Sequence, residues 1–203
     1  MKKLLSLAGI TLLFSFSFSV ETLTEKERKF ASSHLENTHA ELMKSVKDLS
    51  DAQLNFKPAA DKWSIKECAF HLTLAEASLR QWVESALKAP ANPEKRSEIK
   101  MSDDQVIAGL SSRENKVKTY DFLEPQNGKW ASADEAMITM KKDRASLIDF
   151  VKNTDKDLRN HVAMETPLGP LDTYQLMLFI SSHTTRHMKQ IDEVKADPNF
   201  PKN

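Results

Sequence analysis

Two histidines four residues apart, His183 and His187, are the residues of this 203-residue chain best suited to carry chemistry. A helix turns by about 100° per residue, so side chains at this spacing project from one face about one turn apart. Two such imidazoles can bind one metal ion, as in the helical His-Glu-x-x-His motif. No Glu follows His183, so zinc-protease chemistry is not indicated. The alternative is a pair of partly buried, hydrogen-bonded histidines.

The other histidines and the single cysteine have weaker patterns. His71 borders the apolar stripe of its own predicted helix. His34 and His39 are five residues apart and are predicted to be structural or exposed, and His161 falls in a loop. Cys68 is predicted to be a small buried side chain. As the only cysteine, it excludes an intramolecular disulfide.

Proline positions and capping residues delimit the elements that must position these side chains. The chain has 22 Leu against 16 Ile plus Val and only four Gly, a composition that favours helices over strands. Capping boxes begin at Ser64, Ser102 and Ser132, and Asp172 with Gln175 makes a similar start. The predicted helices are 22–49, 64–88, 102–120, 132–154 and 172–195.

Four long amphipathic helices and one shorter helix predict an all-α fold. The predicted architecture is an up-and-down four-helix bundle with an additional short helix and a long crossover connection near residues 89–101. Residues 158–171 form a second loop, with short extended pieces. The sequence shows no internal repeat and no domain boundary within the bundle.

The amino terminus has the pattern of a secretory signal peptide. Lys2 and Lys3 precede an uncharged apolar run over residues 4–20, and Ser17 and Ser19 supply the small residues before a cleavage point. We therefore predict a signal peptide at 1–19, a helical domain at 20–203 with its core at about 25–195, and export to the periplasm or the exterior. A retained membrane anchor is the alternative, but the run is marginal for spanning ~30 Å.

The charge balance limits the classes of partner. Twenty-nine basic residues balance 29 acidic ones, so the chain has no basic field for binding nucleic acid. The expected partner is a small-molecule substrate, with no nucleic acid and no stable membrane anchor after cleavage, and a homodimer is compatible with the sequence.

Two segments of the sequence resemble the DinB-like (DinB/YfiT) superfamily. The first is the run 60–72, in which Trp63-Ser64-Ile65 opens a helix and His71 follows. The second is the ending His183-x-x-x-His187-x-x-Gln-Ile. The resemblance covers about residues 25–195. It implies a four-helix bundle in which His71, His183 and His187 bind one divalent metal ion, zinc, nickel or similar.

The resemblance also implies a function. Three imidazoles leave a coordination position open, so the metal can activate a water or a thiolate. The chain is therefore predicted to be an exported metal-dependent hydrolase or a thiol S-transferase. The alternative is a non-catalytic metal-binding or purely structural exported helical bundle.

The resemblance assigns Trp63 to packing at the helix entrance and Ser64 to the cap. Glu67 is predicted to be the capping-box carboxylate and Arg186 a solvated surface arginine, although Arg186 is also a candidate for steering an anionic substrate. No general base or other catalytic residue is assigned.

Overall fold

The computed structural model describes residues 22–114 and 117–202, and the predicted signal peptide at 1–19 lies outside them. Within these described ranges, six α-helices occupy Glu25–Val46 (α1), Asp51–Asn55 (α2), Ile65–Lys88 (α3), Asp103–Ser111 (α4), Ala133–Asn153 (α5) and Thr173–Lys195 (α6). Two short strands, Val162–Ala163 (β1) and Leu171–Asp172 (β2), pair antiparallel with Val162 opposite Asp172. Short 3-10 turns lie at Pro93–Glu98, Asp121–Leu123 and Pro125–Asn127. The prediction of an all-α four-helix bundle with an extra short helix is confirmed.

The helix starts follow the predicted caps. Complete capping boxes form at Ser64, Ser102 and Asp172. At Ser132 the hydroxyl accepts from the backbone N–H of Glu135 as predicted, but the Glu135 carboxylate accepts from the N–H of Ala131. The cap therefore satisfies the free amides of the first turn in a slightly different way.

Two predicted helices are shorter than the sequence suggested. The predicted helix 22–49 ends at Val46. Two residues later Asp48 adopts a positive φ of 60°, and a separate helix, α2, follows. The predicted helix 102–120 ends at Ser111. Its last carbonyl groups accept hydrogen bonds from cations on α6, with Lys189 donating to Ser111 and Arg186 to Ser112. Cations at this end of a helix stabilise its termination.

Contacts between helices define their directions. α1 and α6 run parallel, because Glu27 contacts Tyr174 near one end and Ser45 contacts Lys195 near the other. α3 and α5 also run parallel to each other, and both run opposite to α1 and α6. The four long helices α1, α3, α5 and α6 thus run up, down, down and up. An up-and-down bundle would instead alternate strictly.

The long connection between α3 and α5 follows from these directions. Two parallel neighbours require the chain to travel back along the whole bundle, and residues 89–132 make this return. Within the return, α4 packs along the outer face of α6. The predicted crossover at 89–101 is therefore the first part of a longer connection, the return segment 89–132, and α4 lies in the middle of that segment.

The core consists of two apolar clusters with a buried polar layer between them. One cluster contains Leu35, Leu79 and Leu147, and the other contains Leu42, Leu72 and Met140. Between them Arg144 on α5, which is fully buried, binds the Glu76 carboxylate with two hydrogen bonds of 2.6 and 2.7 Å. Among the described helices, none combines the length and apolar character needed to cross a membrane.

Candidate metal centre

Three predicted ligand candidates meet between two antiparallel helices. His71 lies in the second turn of α3, which starts at the Ser64 capping box, and His183 and His187 lie on α6. Because α3 and α6 run in opposite directions, an early residue of one faces middle residues of the other. The structure therefore brings together the three histidines that were predicted to bind one metal ion. Their ligand atoms all lie within 4.8 Å of one another.

The Nε2 atoms of the three rings point at one another. His183 Nε2 lies 3.4 Å from His71 Nε2 and 3.2 Å from His187 Nε2. A tetrahedral zinc ion with Zn–N bonds of about 2.0–2.1 Å separates its ligand nitrogens by about 3.3–3.4 Å. The two distances from His183 Nε2 match this spacing, and the ligand atoms of all three rings lie within 4.8 Å of one another.

The opposite ring nitrogens fix two of the three tautomers. His71 Nδ1 lies 2.9 Å from the carbonyl oxygen of Leu123, and His187 Nδ1 lies 2.9 Å from Gln190 Oε1. Both oxygens can only accept, so both Nδ1 atoms carry the proton and both Nε2 atoms present lone pairs. A hydrogen-bond acceptor behind each ligating imidazole is the usual support of a metal-binding histidine.

These tautomers leave a shortage of protons at the centre of the cluster. His183 can donate one Nε2 proton to only one of its two neighbours, so one close nitrogen pair opposes two lone pairs. A cation among the three nitrogens removes this repulsion. The donor chemistry, like the spacing, fits a metal ion.

Burial keeps the three imidazoles neutral. It is the main cause that lowers the pKa of His71, takes that of His183 to about 3, and holds that of His187 well below its ordinary value. Neighbouring imidazoles lower the pKa of His183 and of His187 further. His183 keeps partial exposure at its surface, but its ring nitrogen faces the other two rings. Neutral imidazole is the form that binds metal.

An aromatic wall covers one side of the cluster. The Trp63 ring lies 4.8 Å from the His71 ring and 6.0 Å from the His187 ring, centre to centre. Trp63 therefore packs at the start of α3 as expected, and its ring also forms part of the candidate site. Ser64 caps the helix as the resemblance implied.

A cavity of about 460 Å³ opens beside the histidines. α3, α4, α6 and the loop before α5 line it, and its walls are mostly apolar. Its size falls within the range of about 300–1,000 Å³ for small-molecule sites. The histidine cluster therefore has room for a ligand beside it.

The prediction of a solvated Arg186 is wrong. Its side chain is half-buried, lines the cavity and donates to the carbonyl oxygen of Ser112. Arg113 of the long connection lies beside it and binds the Glu193 carboxylate at 2.9 Å and Gln190 Oε1 at 3.1 Å. The Gln190 Oε1 atom thus accepts a hydrogen bond from Arg113 as well as the one from His187 Nδ1.

The remaining sequence candidates lie outside the cluster. His34 contacts Ser181 at 2.6 Å, and His161 contacts the Asp157 carbonyl in its loop, so both are structural. His39 is half-buried on α1. Cys68 is buried as predicted, and burial raises the pKa of its thiol to about 12, which opposes ligation as a thiolate. Glu67 accepts from the Ser64 N–H as the predicted cap.

Sequence reasoning missed the groups that orient the candidate ligands. Leu123 acts through its backbone carbonyl, which has no signature in the sequence. Arg113 acts across 77 residues, which no local pattern reveals. Gln190 is the exception, because its position three residues after His187 places it on the same helix face.

A four-helix bundle with three converging histidines beside a cavity defines a class of bundle proteins with a candidate metal centre. The chain matches the DinB superfamily over residues 34–191 and belongs to that family. It is 27% identical to the uncharacterized protein YuaE of Bacillus subtilis (strain 168) over 156 residues, 76% of this chain and 91% of the relative.

The fold is similar to that of a solved bundle protein. YfiT from Bacillus subtilis, described as a probable metal-dependent hydrolase with an unusual four-helix bundle topology, superposes with a TM-score of 0.55. The match covers 88% of this chain and 91% of YfiT at 14% sequence identity. At this identity the likeness establishes the shared fold.

Proposed function

We propose that this protein is an exported metal-dependent hydrolase of a small-molecule substrate, with His71, His183 and His187 as the ligands of one divalent ion. The observation that carries the proposal is the convergence of three Nε2 atoms at the wall of a cavity of about 460 Å³, with His183 Nε2 lying 3.4 Å from that of His71 and 3.2 Å from that of His187. The three imidazoles would hold a divalent ion with a coordination position open, and such an ion, when bound, would supply Lewis-acid chemistry for the activation of water.

The protein's own residues supply orientation and a dry environment. The Leu123 carbonyl and Gln190 Oε1 hold two rings with their Nε2 atoms inward. Trp63 and the apolar walls limit access of bulk water. Glu124, a half-buried carboxylate that lines the same cavity next to Leu123, is our candidate for moving a proton during hydrolysis.

Metal analysis tests the ligand assignment. The purified protein and its His71→Ala, His183→Ala and His187→Ala variants are loaded with Zn²⁺ or Ni²⁺, desalted and analysed for metal by mass spectrometry. We expect about one ion per chain in the unsubstituted protein and loss of most of it in each variant, because two protein ligands seldom hold a divalent ion tightly. His161→Ala is the matched control, since His161 lies in a loop away from the cluster and should leave the stoichiometry unchanged.

Full metal content in all three variants would reject the ligand assignment and leave the structural-bundle alternative. A loaded protein whose metal cannot exchange a water ligand would favour a closed, non-catalytic site.

A substrate screen tests the reaction class. Carboxylic esters, amides and phosphate esters are offered to the loaded protein, each with and without a low-molecular-weight thiol. Turnover without thiol, lost in His183→Ala and reduced in Glu124→Gln, supports hydrolysis. Turnover that requires the thiol and transfers it to the substrate would instead assign the S-transferase chemistry, with a thiolate as the nucleophile.

Export is the second part of the proposal and rests on the amino-terminal pattern. Lys2 and Lys3 precede an apolar run, and Ser17 and Ser19 precede the expected cut. Amino-terminal sequencing of the protein from the cells that make it should find a start near Val20. Intact Met1 on soluble protein from the cytosol would reject export.

A further inference from the structure

The cavity beside the histidines follows one face of α3. Its lining includes His71, Ala75, Leu79 and Trp82, which stand three or four residues apart along the helix. A helix makes one turn in about 3.6 residues, so this spacing places the four side chains on one face. At a rise of about 1.5 Å per residue, Trp82 lies about 16 Å along the helix from His71. Trp82 is therefore the α3 residue of the lining that lies farthest from the histidine cluster.

A second cavity, of about 220 Å³, continues along the same face of α3. Its lining includes Trp82, Ala86 and Ala89, again three or four residues apart. Within the described part of the chain, Trp82 is the one residue that lines both cavities. The indole of Trp82 therefore stands between the cavity beside the histidines and the second cavity.

The loop between β1 and β2 supports this order of the two cavities. Glu165 of this loop lines the second cavity, and Leu168 lines the cavity beside the histidines. Trp82 and Leu168 are both partly buried and pack against the apolar cluster that contains Leu79. The packing holds the indole in place, so it can act as a wall.

The charges of the larger cavity favour an uncharged ligand group. Its described lining carries the cations Lys62, Arg113, Lys118 and Arg186 and the acids Asp61 and Glu124. Two further acids outside the lining bind two of these cations, Asp121 at Lys118 and Glu193 at Arg113. Positive and negative charges thus balance, and the rest of the wall is mostly apolar.

We propose that Trp82 limits the length of the uncharged apolar group that the cavity beside the histidines accepts. Such a group lies along α3 with one end near the histidines and the other against the indole. That the group belongs to a substrate rests on the proposed hydrolase function, whereas the length limit is a property of the cavity itself. Removal of the indole joins the two cavities and extends the limit.

Calorimetric titration with the primary alcohols from butanol to decanol measures the limit. Each added methylene that is buried should raise the affinity about fourfold, which corresponds to about 0.8 kcal/mol. In the unsubstituted protein we expect this rise to stop at the chain length that reaches Trp82. In Trp82→Ala the rise should continue for at least about two more methylenes. Trp130→Ala is the matched control, because Trp130 packs on Phe70 outside both linings and should leave the limit unchanged.

Two further variants locate the limit. Adding Ala86→Phe to Trp82→Ala refills the second cavity and should return the limit towards that of the unsubstituted protein. Ser78→Leu enlarges a side chain that lines the larger cavity one turn before Trp82, so it should shorten the limit with the indole in place. Circular dichroism checks that each variant is folded.

The same titrations on zinc-loaded and chelator-treated protein separate this inference from the proposed function. A limit that depends on Trp82 in both forms supports the inference even if no hydrolysis is found. Absence of alcohol binding, affinity that rises to decanol without a limit in the unsubstituted protein, or an identical limit in Trp82→Ala would overturn it.

Discussion

The buried ion pair between Arg144 and Glu76 is predicted to be the most sensitive point of the bundle to substitution. Arg144 is fully buried and donates to the Glu76 carboxylate, the Leu35 carbonyl, and the hydroxyl groups of Thr38 and Thr184. These partners lie on α3, α1 and α6, so one side chain of α5 joins all four long helices. It also links the helices that carry the three histidines.

Arg144→Met removes these hydrogen bonds and leaves a carboxylate buried without a partner. Breaking a buried ion pair from one side costs about 3–5 kcal/mol. For a domain of this size the corresponding loss in melting temperature is about 6–20 °C. Because the free energy of unfolding of a domain is about 5–15 kcal/mol, the variant should lose a large fraction of its stability.

The pH dependence distinguishes a stranded charge from simple loss of packing. Burial, the largest cause, already raises the pKa of Glu76, and Arg144 opposes that rise. Without Arg144 the pKa rises further above its unfolded value, so the folded state takes up a proton that the unfolded state lacks. Stability of the variant should therefore increase as the pH falls from 7.5 towards 5, and decrease as the pH rises.

Urea denaturation at pH 7.5 and pH 5.5, followed by circular dichroism, measures both effects. Adding Glu76→Gln to Arg144→Met removes the stranded charge and should recover at least about half of the loss at pH 7.5. Arg80→Met, which removes a partly exposed arginine, should cost under about 1 kcal/mol. An Arg144→Met variant within about 1 kcal/mol of the unsubstituted protein, or no recovery in the double variant, would refute the argument.

Two further predictions concern buried groups outside the histidine cluster. Cys68 should resist iodoacetamide in the native protein and react after unfolding, because it is fully buried and its pKa is about 12; rapid native labelling, followed by mass spectrometry, would contradict this. Burial is the main cause that lowers the pKa of His39 to about 4, and its buried ring nitrogens lack a hydrogen-bond partner among the described residues. Below about pH 6.5 the unfolded state therefore binds a proton that the folded state excludes, so metal-free protein should lose stability as the pH falls towards 4. His39→Leu should be neutral or stabilising at pH 7 and flatten this acid slope in urea denaturation.

Helix positions could be predicted from sequence because their signals are local. The caps at Ser64 and Asp172 involve residues three apart, and the apolar stripes repeat within one helix. Helix directions could not, since they depend on which helices become neighbours. That choice is fixed by contacts such as the one between Arg144 and Glu76, 68 residues apart, for which no local pattern exists.

The candidate site also combines residues that local sequence patterns predict with residues that they do not. His183 and His187 are paired by helical spacing alone, and His71 joined them through the family resemblance. His187 is supported by Gln190 on the same helix, whereas the support of His71 comes from the return segment 89–132, where the Leu123 carbonyl reaches it across 52 residues.

The sequence predicted a connection at 89–101 and a helix at 102–120 within this segment, but it did not reveal that the segment supplies Arg113 and one cavity wall. Changes in residues 89–132 should therefore alter ligand choice and metal affinity even where the three histidines are kept. The bundle holds the three candidate metal ligands, whereas the return segment shapes the cavity beside them.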